Sequence, residues 1–194
     1  MSTTETKKQK GIFSKILVAI DGSKHSMDAA YYAINVTNKF NAALYTIHVA
    51  NDSLYLEMYS FGIYDIETPV HRRSYVKHTR QKVKEWFDEI KVKASEKNIQ
   101  LSKAALIVIS ASVETAIVDF AKENGVDLIV LGSKGYSGIK KLLLGSVASA
   151  VLNRNYTDNC NQCFVRQCSG LGKDQDISSY FLIVVLVTNS SKIE

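Results

Sequence analysis

The sequence predicts an α/β protein with an open, doubly wound parallel sheet and helices on both faces. Short apolar runs that suit buried strands alternate along the chain with longer segments whose apolar residues recur at helical spacing. The chain has 194 residues, of which 46% are hydrophobic and 22% charged, as in an ordinary globular protein. This length is enough for one domain with a sizeable core.

The first strand is predicted at Ile16–Ile20, a continuous apolar run typical of a strand covered on both faces. It ends at Asp21, a helix follows over Ser26–Phe40, and Leu44–Ala50 is the second strand. Because open α/β sheets bind ligands at the carboxyl ends of their strands, Asp21 is a candidate binding residue. The alternative is that Asp21 or Ser23 only caps the helix, and one residue can do both.

The middle of the chain continues the alternation after a long connection. Asn51–Pro69 is rich in aromatic residues, and it either folds over a ligand as a lid or packs on the sheet. An amphipathic helix is predicted over Tyr75–Lys97, a strand over Leu101–Ile109 and a helix over Glu114–Asn124. Gly125 is well placed to end this last helix.

A glycine-rich loop follows the strand predicted at Asp127–Leu131 and leads into a helix predicted at Val147–Leu152. Glycines allow the backbone to approach an anion, and a helix N-terminus adds positive potential. The P-loop spacing and the Gly-x-Gly-x-x-Gly spacing are both absent. The stretch therefore predicts a different kind of phosphate loop. The alternative is that the glycines only turn the chain while Ser146 caps the helix.

The spacing of this loop is Gly132, two residues, Gly135, nine residues, then Gly145 and Ser146. It resembles the ATP-binding signature of the universal stress protein family, and the resemblance runs from about residue 15 to residue 155. It implies a Rossmann-like fold of the adenine nucleotide alpha hydrolase type. It also implies a regulatory protein of the stress response that binds ATP.

The resemblance assigns roles to individual residues. The glycines and Ser146 would contact the phosphates and ribose, Asp21 would lie beside the nucleotide, and the backbone of Val49 would meet adenine. Lys134 would add positive charge, whereas Lys140 and Lys141 are less certain contributors. The nucleotide-binding residues expected in this way are Ala19, Asp21, Val49, Leu131, Gly132, Ser133, Lys134, Gly135, Gly145, Ser146, Val147 and Ser149.

Mg²⁺ is expected to enter with ATP, with Asp21 or solvent completing its shell, and no metal ligand is assigned from the sequence. No catalytic residue is assigned, because no convincing base lies near the loop, and we expect no efficient enzyme. Slow ATP hydrolysis or nucleotidyl transfer at the same site is one alternative. A protein-interaction module that binds no nucleotide is the other.

The two ends of the chain depart from the family pattern. Residues 1–12 form a basic tail that we expect to be disordered, and the nucleotide-binding domain is expected at 13–155. The family's last strand, which often pairs two subunits, is missing from its usual place. Within the atypical tail 156–194, the run at 180–187 is a displaced strand, part of a weakly ordered segment, or the product of a reading-frame change. A homodimer is expected, and it would be weakened if the last strand is absent.

Three cysteines lie close together in this tail, at Cys160, Cys163 and Cys168. Structural zinc usually takes four ligands, and no fourth is nearby, so incidental thiols are the favoured interpretation.

The charge balance and the hydropathy argue against nucleic-acid and membrane partners. Basic residues number 24 and acidic residues 19, which gives a net charge of +5. No nucleic-acid-binding motif accompanies this excess, so solvated basic surface is favoured over nucleic-acid binding. No run approaches the roughly 18 apolar residues that span a membrane, and no signal peptide is recognisable. We therefore expect a cytoplasmic protein whose partners are an adenine nucleotide and a protein of unknown identity.

Overall fold

A computed structural model describes residues 13–51, 69–109, 112–132, 145–157, 165–169 and 180–185. These residues form a six-stranded sheet, in the order β3-β2-β1-β4-β6-β5, and four helices. The strands are β1 (Lys15–Ala19), β2 (Ala43–Asn51), β3 (Leu101–Ile109), β4 (Leu128–Gly132), β5 (Val165–Ser169) and β6 (Tyr180–Val185). The helices are α1 (Lys24–Phe40), α2 (Pro69–Ser95), α3 (Val113–Asn124) and α4 (Ser146–Thr157).

Four of the strands are parallel. Strand β1 pairs with β2 on one side and with β4 on the other, and β2 pairs with β3. The chain thus runs outward from β1 to β3 and then returns past β1 to β4. A strand order of this kind leaves a crevice at the carboxyl ends of the two central strands, β1 and β4. The predicted α/β fold is confirmed for this part of the sheet.

The last two strands are antiparallel to the others. Strand β6 pairs with β4 from Leu128↔Val185 to Gly132↔Phe181, and β5 pairs with β6. The sheet is therefore mixed, whereas the sequence predicts parallel strands throughout. Strand β6 falls within the run at 180–187, and β5 covers a stretch for which no strand is predicted from the sequence.

Apolar side chains fill a layer on each face of the sheet because alternate residues of a strand point to opposite faces. Helices α1 and α2 cover one face, and helices α3 and α4 cover the other. On the α1 and α2 face the buried residues include Ile16, Val18, Ala29, Ala33, Ile34 and Ile90. On the α3 and α4 face they include Leu17, Ile47, Ile117, Phe120, Ile129 and Val151. This arrangement confirms the prediction of helices on both faces.

The amino end of the sheet is closed by hydrogen bonds. The Asp127 Oδ2 atom accepts from Ser14 N at 2.7 Å, from Ser14 Oγ at 2.6 Å and from Lys15 N at 2.8 Å. The ammonium group of Lys15 donates to the carbonyl of Asn124 at 2.7 Å, at the end of α3. Gly125 then ends α3 with a left-handed φ of 61°, as the sequence predicts.

None of the helices in the described ranges is both long and apolar enough to cross a membrane. The long connection expected to be a lid or a packing segment lies, apart from Asn51 and Pro69, outside the described residues, as do the basic tail 1–12, Cys160 and Cys163.

Candidate functional site

A cavity of about 120 Å³ lies at the carboxyl ends of β1 and β4, in the crevice that the strand order creates. Strand residues and the first turns of α1, α3 and α4 line it. The lining residues are Ala19, Ile20, Asp21, Ser26, Val49, Val113, Ile117, Leu131, Gly132, Gly145, Ser146, Val147 and Ala148. Eight of the residues predicted to bind nucleotide therefore surround one cavity, although 126 positions separate Ala19 from Gly145.

The turn after β1 holds Asp21 at the cavity. Its Oδ1 atom accepts a hydrogen bond from Ser23 N at 2.9 Å, and its own N–H donates to Ser26 Oγ at 3.2 Å. Ser23 in turn caps α1, because its hydroxyl accepts from Ser26 N at 3.2 Å. Ser23 therefore caps the helix, whereas Asp21 stabilises the same turn and lines the cavity.

Gly22 in this turn lies against the indole ring of Trp86 on α2. Its φ of 79° is left-handed, and a Cβ atom at this position would overlap the ring. Trp86 also makes an edge-on contact with His48, with ring centroids 5.5 Å apart. The Nδ1–H group of His48 donates to the carbonyl of Ile20 at 2.7 Å, one residue before Asp21. Trp86 of α2 and His48 of β2 thus pack against the turn that holds Asp21.

Burial lowers the pKa of His48 below its usual value of 6.5, although the bond to Ile20 and the charge of Asp21 act in the opposite direction. The neutral imidazole is therefore the form that the fold favours.

Gly132 at the end of β4 has a packing role. A Cβ atom there would lie 2.9 Å from the backbone carbon of His25 and 2.9 Å from Ser26 N, in the first turn of α1. Such contacts are too short for any side chain, so glycine allows β4 and α1 to approach each other. Part of the glycine pattern therefore serves packing, whatever ligand the loop binds.

Helix α4 begins at a residue without a side chain. Ser149 N donates to the carbonyl of Gly145 at 2.9 Å, which puts Gly145 at the N-cap position. By contrast, Ser23 caps α1 and Ser112 caps α3 through their hydroxyl groups. The first-turn N–H groups of α4, at residues 146–148, have no partner within the helix and none from a capping side chain at Gly145. The residues that carry these donors line the cavity.

The cavity is electropositive in its backbone. Three helices begin around it, and each N-terminus carries about half of a positive charge. Among the lining residues described, Asp21 alone has an ionisable side chain. Helices α1 and α4 have no acidic residue in the first turn, whereas α3 has Glu114. The hydrogen bond with Ser112, together with the charge of Arg154, keeps the pKa of Glu114 below its usual value.

Comparison with known proteins gives the family. The profile described as "Universal stress protein family" matches residues 13–155. The chain belongs to the universal stress protein family. It is 35% identical over 144 residues to the universal stress protein YxiE of Bacillus subtilis, covering 72% of this chain and 92% of YxiE. It is 29% identical over 143 residues to a universal stress protein of Methanocaldococcus jannaschii, covering 74% of this chain and 78% of the relative.

Solved structures of universal stress proteins share the fold. UspA from Lactobacillus plantarum superimposes with a TM-score of 0.59 at 23% identity, covering 73% of this chain and 91% of UspA. A universal stress protein solved in complex with cAMP superimposes with a TM-score of 0.50 at 22% identity, covering 73% of this chain and 90% of that one. The family match ends at residue 155, so β5 and β6 lie beyond the part of the chain that it covers.

Not every predicted site residue of this universal stress protein lines the cavity. Ser149 lies in the first turn of α4 but is absent from the lining, and Ser133, Lys134 and Gly135 lie outside the described residues, as do Lys140 and Lys141. Within the described ranges, no group of three His, Cys, Asp or Glu side chains is arranged to hold a metal ion.

The structure adds lining residues that the sequence prediction lacks: Ile20, Ser26, Val113, Ile117 and Ala148. Val113 and Ile117 are four residues apart in α3, a spacing that puts them on one helix face, but only the fold shows that this face reaches β1. Ser26 could have been predicted from the sequence, because it lies five residues after Asp21 in the first turn of the next helix.

Proposed function

We propose that this universal stress protein is a regulatory protein of the stress response that binds ATP in the cavity between β1 and β4. One observation carries the proposal: three helix N-termini surround the cavity, and α4 presents first-turn N–H groups behind Gly145, which has no side chain to cap them. Phosphate is the ligand that such a set of donors suits best, because N–H groups and the helix dipole both favour an anion.

In the proposed complex, the N–H groups at the start of α4 donate to phosphate oxygens, and Ser146 adds a hydroxyl. The apolar side of the cavity, with Val49, Val113 and Ile117, suits the adenine base. The volume of about 120 Å³ is smaller than the roughly 300–1,000 Å³ of typical small-molecule pockets. A bound nucleotide would therefore extend beyond this cavity.

The family supports an adenine nucleotide in particular, because a universal stress protein with this fold was solved in complex with cAMP. ATP is proposed from the glycine spacing of this chain. Mg²⁺ would arrive with ATP, and the carboxylate of Asp21 is an oxygen ligand of the kind that Mg²⁺ prefers. A homodimer, an unidentified protein partner and a cytoplasmic location remain predictions of the same kind.

The proposal is tested by isothermal titration of the full-length protein with Mg-ATP, repeated on Gly145→Val. A valine at the N-cap occupies the space in front of the α4 donors, so we expect affinity to fall by at least about a hundredfold, or ~2.7 kcal/mol. Phosphate release is measured on the same samples to detect hydrolysis. Affinity for Mg-ATP that is unchanged in this variant contradicts the proposal.

Two further variants separate binding from helix stability. Ser112→Val puts valine at the N-cap of α3, whose capping serine is absent from the cavity lining, so it should lower stability by about 1 kcal/mol without changing affinity. Gly145→Ser supplies a hydroxyl that competes for the α4 donors, so affinity should fall by about tenfold while stability changes by only a few tenths of a kcal/mol. Equal loss of affinity in Ser112→Val and Gly145→Val would assign the effect to folding.

A further inference from the structure

A second concave surface lies at the other edge of the sheet, between α2 and β3. It has a volume of about 500 Å³ and shares no lining residue with the cavity described above. Its apolar part comes from Val83, Phe87, Leu101 and Leu106. We refer to this surface, bounded by residues 80–91 of α2 and 101–106 of β3, as the α2–β3 groove.

Strand β3 is an edge strand. In the described sheet it pairs with β2 and has no neighbour on its other side. An edge strand presents a row of N–H and C=O groups that can pair with another extended chain. Ser102, Lys103 and Ala104 are exposed along this edge, beside the groove.

The groove is basic. Its α2 side carries Arg80, Lys84 and Lys91 against a single carboxylate, that of Asp88. Lys84 pairs with Asp88 at 2.7 Å. Within the described part of the chain, neither Arg80 nor Lys91 forms an ion pair. The groove therefore keeps uncompensated positive charge around an apolar centre.

A lysine on an edge strand is often a device that prevents pairing with other chains. The side chain of Lys103 does not block the edge of β3 on the side of the groove. Its ammonium group donates to Asn124 Oδ1 at 3.1 Å and lies 5.0 Å from the centre of the Phe120 ring, on the α3 face of the sheet. The ammonium group is therefore turned away from the α2 side, where the groove lies.

We propose that the α2–β3 groove binds an extended acidic segment of a partner protein, which adds to the sheet as a strand beside β3. Main-chain hydrogen bonds to the open edge supply affinity in this mode of recognition. Every second residue of the segment points to the α2 side of the sheet, where apolar side chains contact Phe87 and Leu106 and acidic side chains lie near Arg80 and Lys91. The register shift of the β2–β3 pairing near Leu101 interrupts the regular ladder there, so the segment pairs with the part of β3 that follows Leu101.

The probe is an acetylated, amidated eight-residue peptide in which valine and glutamate alternate at the odd positions and threonine fills the even ones, so that valine and glutamate share one face of the added strand. It is titrated into the full-length protein by calorimetry and by NMR of the β3 amides. Binding should shift the amide resonances of β3 and weaken as salt is added. The same peptide with lysine in place of glutamate is the control and should not bind. If the glutamate peptide fails to bind, or binds without shifting β3 resonances, the proposal is overturned.

Two pairs of charge reversals on α2 test whether the peptide binds in the groove. Arg80→Glu with Lys91→Glu should weaken peptide binding by at least about tenfold, because two attractions become repulsions. Lys77→Glu with Lys82→Glu changes the same charge on the same helix at residues outside the groove lining, and it should leave affinity within about twofold of wild type. Equal loss in both pairs would overturn the proposal in favour of non-specific attraction.

Sedimentation without peptide separates a second copy of the chain from a foreign partner. Self-association that Arg80→Glu with Lys91→Glu abolishes would overturn the proposal and assign the groove to a homodimer. This outcome is distinguishable from a failure of the proposed nucleotide site, because titration with Mg-ATP reports on the other cavity.

Discussion

The two ends of the sheet are built from the same strands but treat their polar groups differently. At the amino end, one carboxylate oxygen of Asp127 accepts three hydrogen bonds and Lys15 caps α3, so the polar groups are satisfied within the chain. At the carboxyl end, α4 starts at a glycine, and the residues of its first turn, whose N–H groups have no partner within the helix, line a cavity. The hydrogen bonds at the amino end thus contribute stability, whereas the α4 donors at the carboxyl end suit a ligand, and substitutions should separate these two roles.

The largest expected effect on stability is that of Gly22→Ala, at the carboxyl end. Alanine at a φ of 79° is strained, and its Cβ overlaps Trp86, so we expect the free energy of unfolding to fall by about 3 kcal/mol. Urea denaturation measures this loss. If the overlap is the cause, adding Trp86→Leu to Gly22→Ala should cost less than the sum of the two single changes. Strict additivity would show that the overlap with Trp86 is not the cause of the loss.

Asp127→Ala tests the amino end. Loss of an acceptor shared by Ser14 and Lys15 should lower the free energy of unfolding by about 2 kcal/mol, while affinity for Mg-ATP stays unchanged. Asp88→Ala is the matched control, since Asp88 forms an exposed i,i+4 pair with Lys84, and loss of such a pair should leave stability nearly unchanged. A loss of nucleotide affinity in Asp127→Ala would show that the two ends are not independent.

The smallest expected effect is a pH dependence at His48. Its pKa is lowered in the folded state, so the unfolded chain binds a proton more readily as the pH falls through 6.5. The free energy of unfolding should therefore fall with decreasing pH from just above 6.5 down to the folded-state pKa, below which both states are protonated. In His48→Asn, whose amide can still donate to Ile20, the pH slope in this range should be shallower. An identical slope in both proteins would contradict a lowered pKa of His48 in the folded state.

The sequence predicts the four parallel strands well because each is a mainly apolar segment followed by a helical pattern. Eight predicted residues come together at the cavity, since all lie at the carboxyl ends of strands or at the start of α4. The packing of Gly132 against α1 could not be predicted, because the loop spacing looks the same whether a glycine serves a ligand or a helix contact.

The antiparallel pair shows a second limit of prediction from sequence. Leu128 pairs with Val185, a partner 57 positions later in the chain. An apolar run indicates a strand, but it carries no information on the direction in which a distant segment joins the sheet. The contact of Trp86 with Gly22 is missing from the prediction for the same reason, since helical spacing shows that a face is apolar and not which turn it meets.

Trp86 is the only tryptophan in the sequence, and it lies against the turn that holds Asp21. The intrinsic fluorescence of the unmodified protein therefore originates from a single indole next to the proposed nucleotide site. Any event that shifts this turn, or that protonates the neighbouring His48, changes the surroundings of that one fluorophore. The fold thus contains its own optical probe for events at the carboxyl end of the sheet.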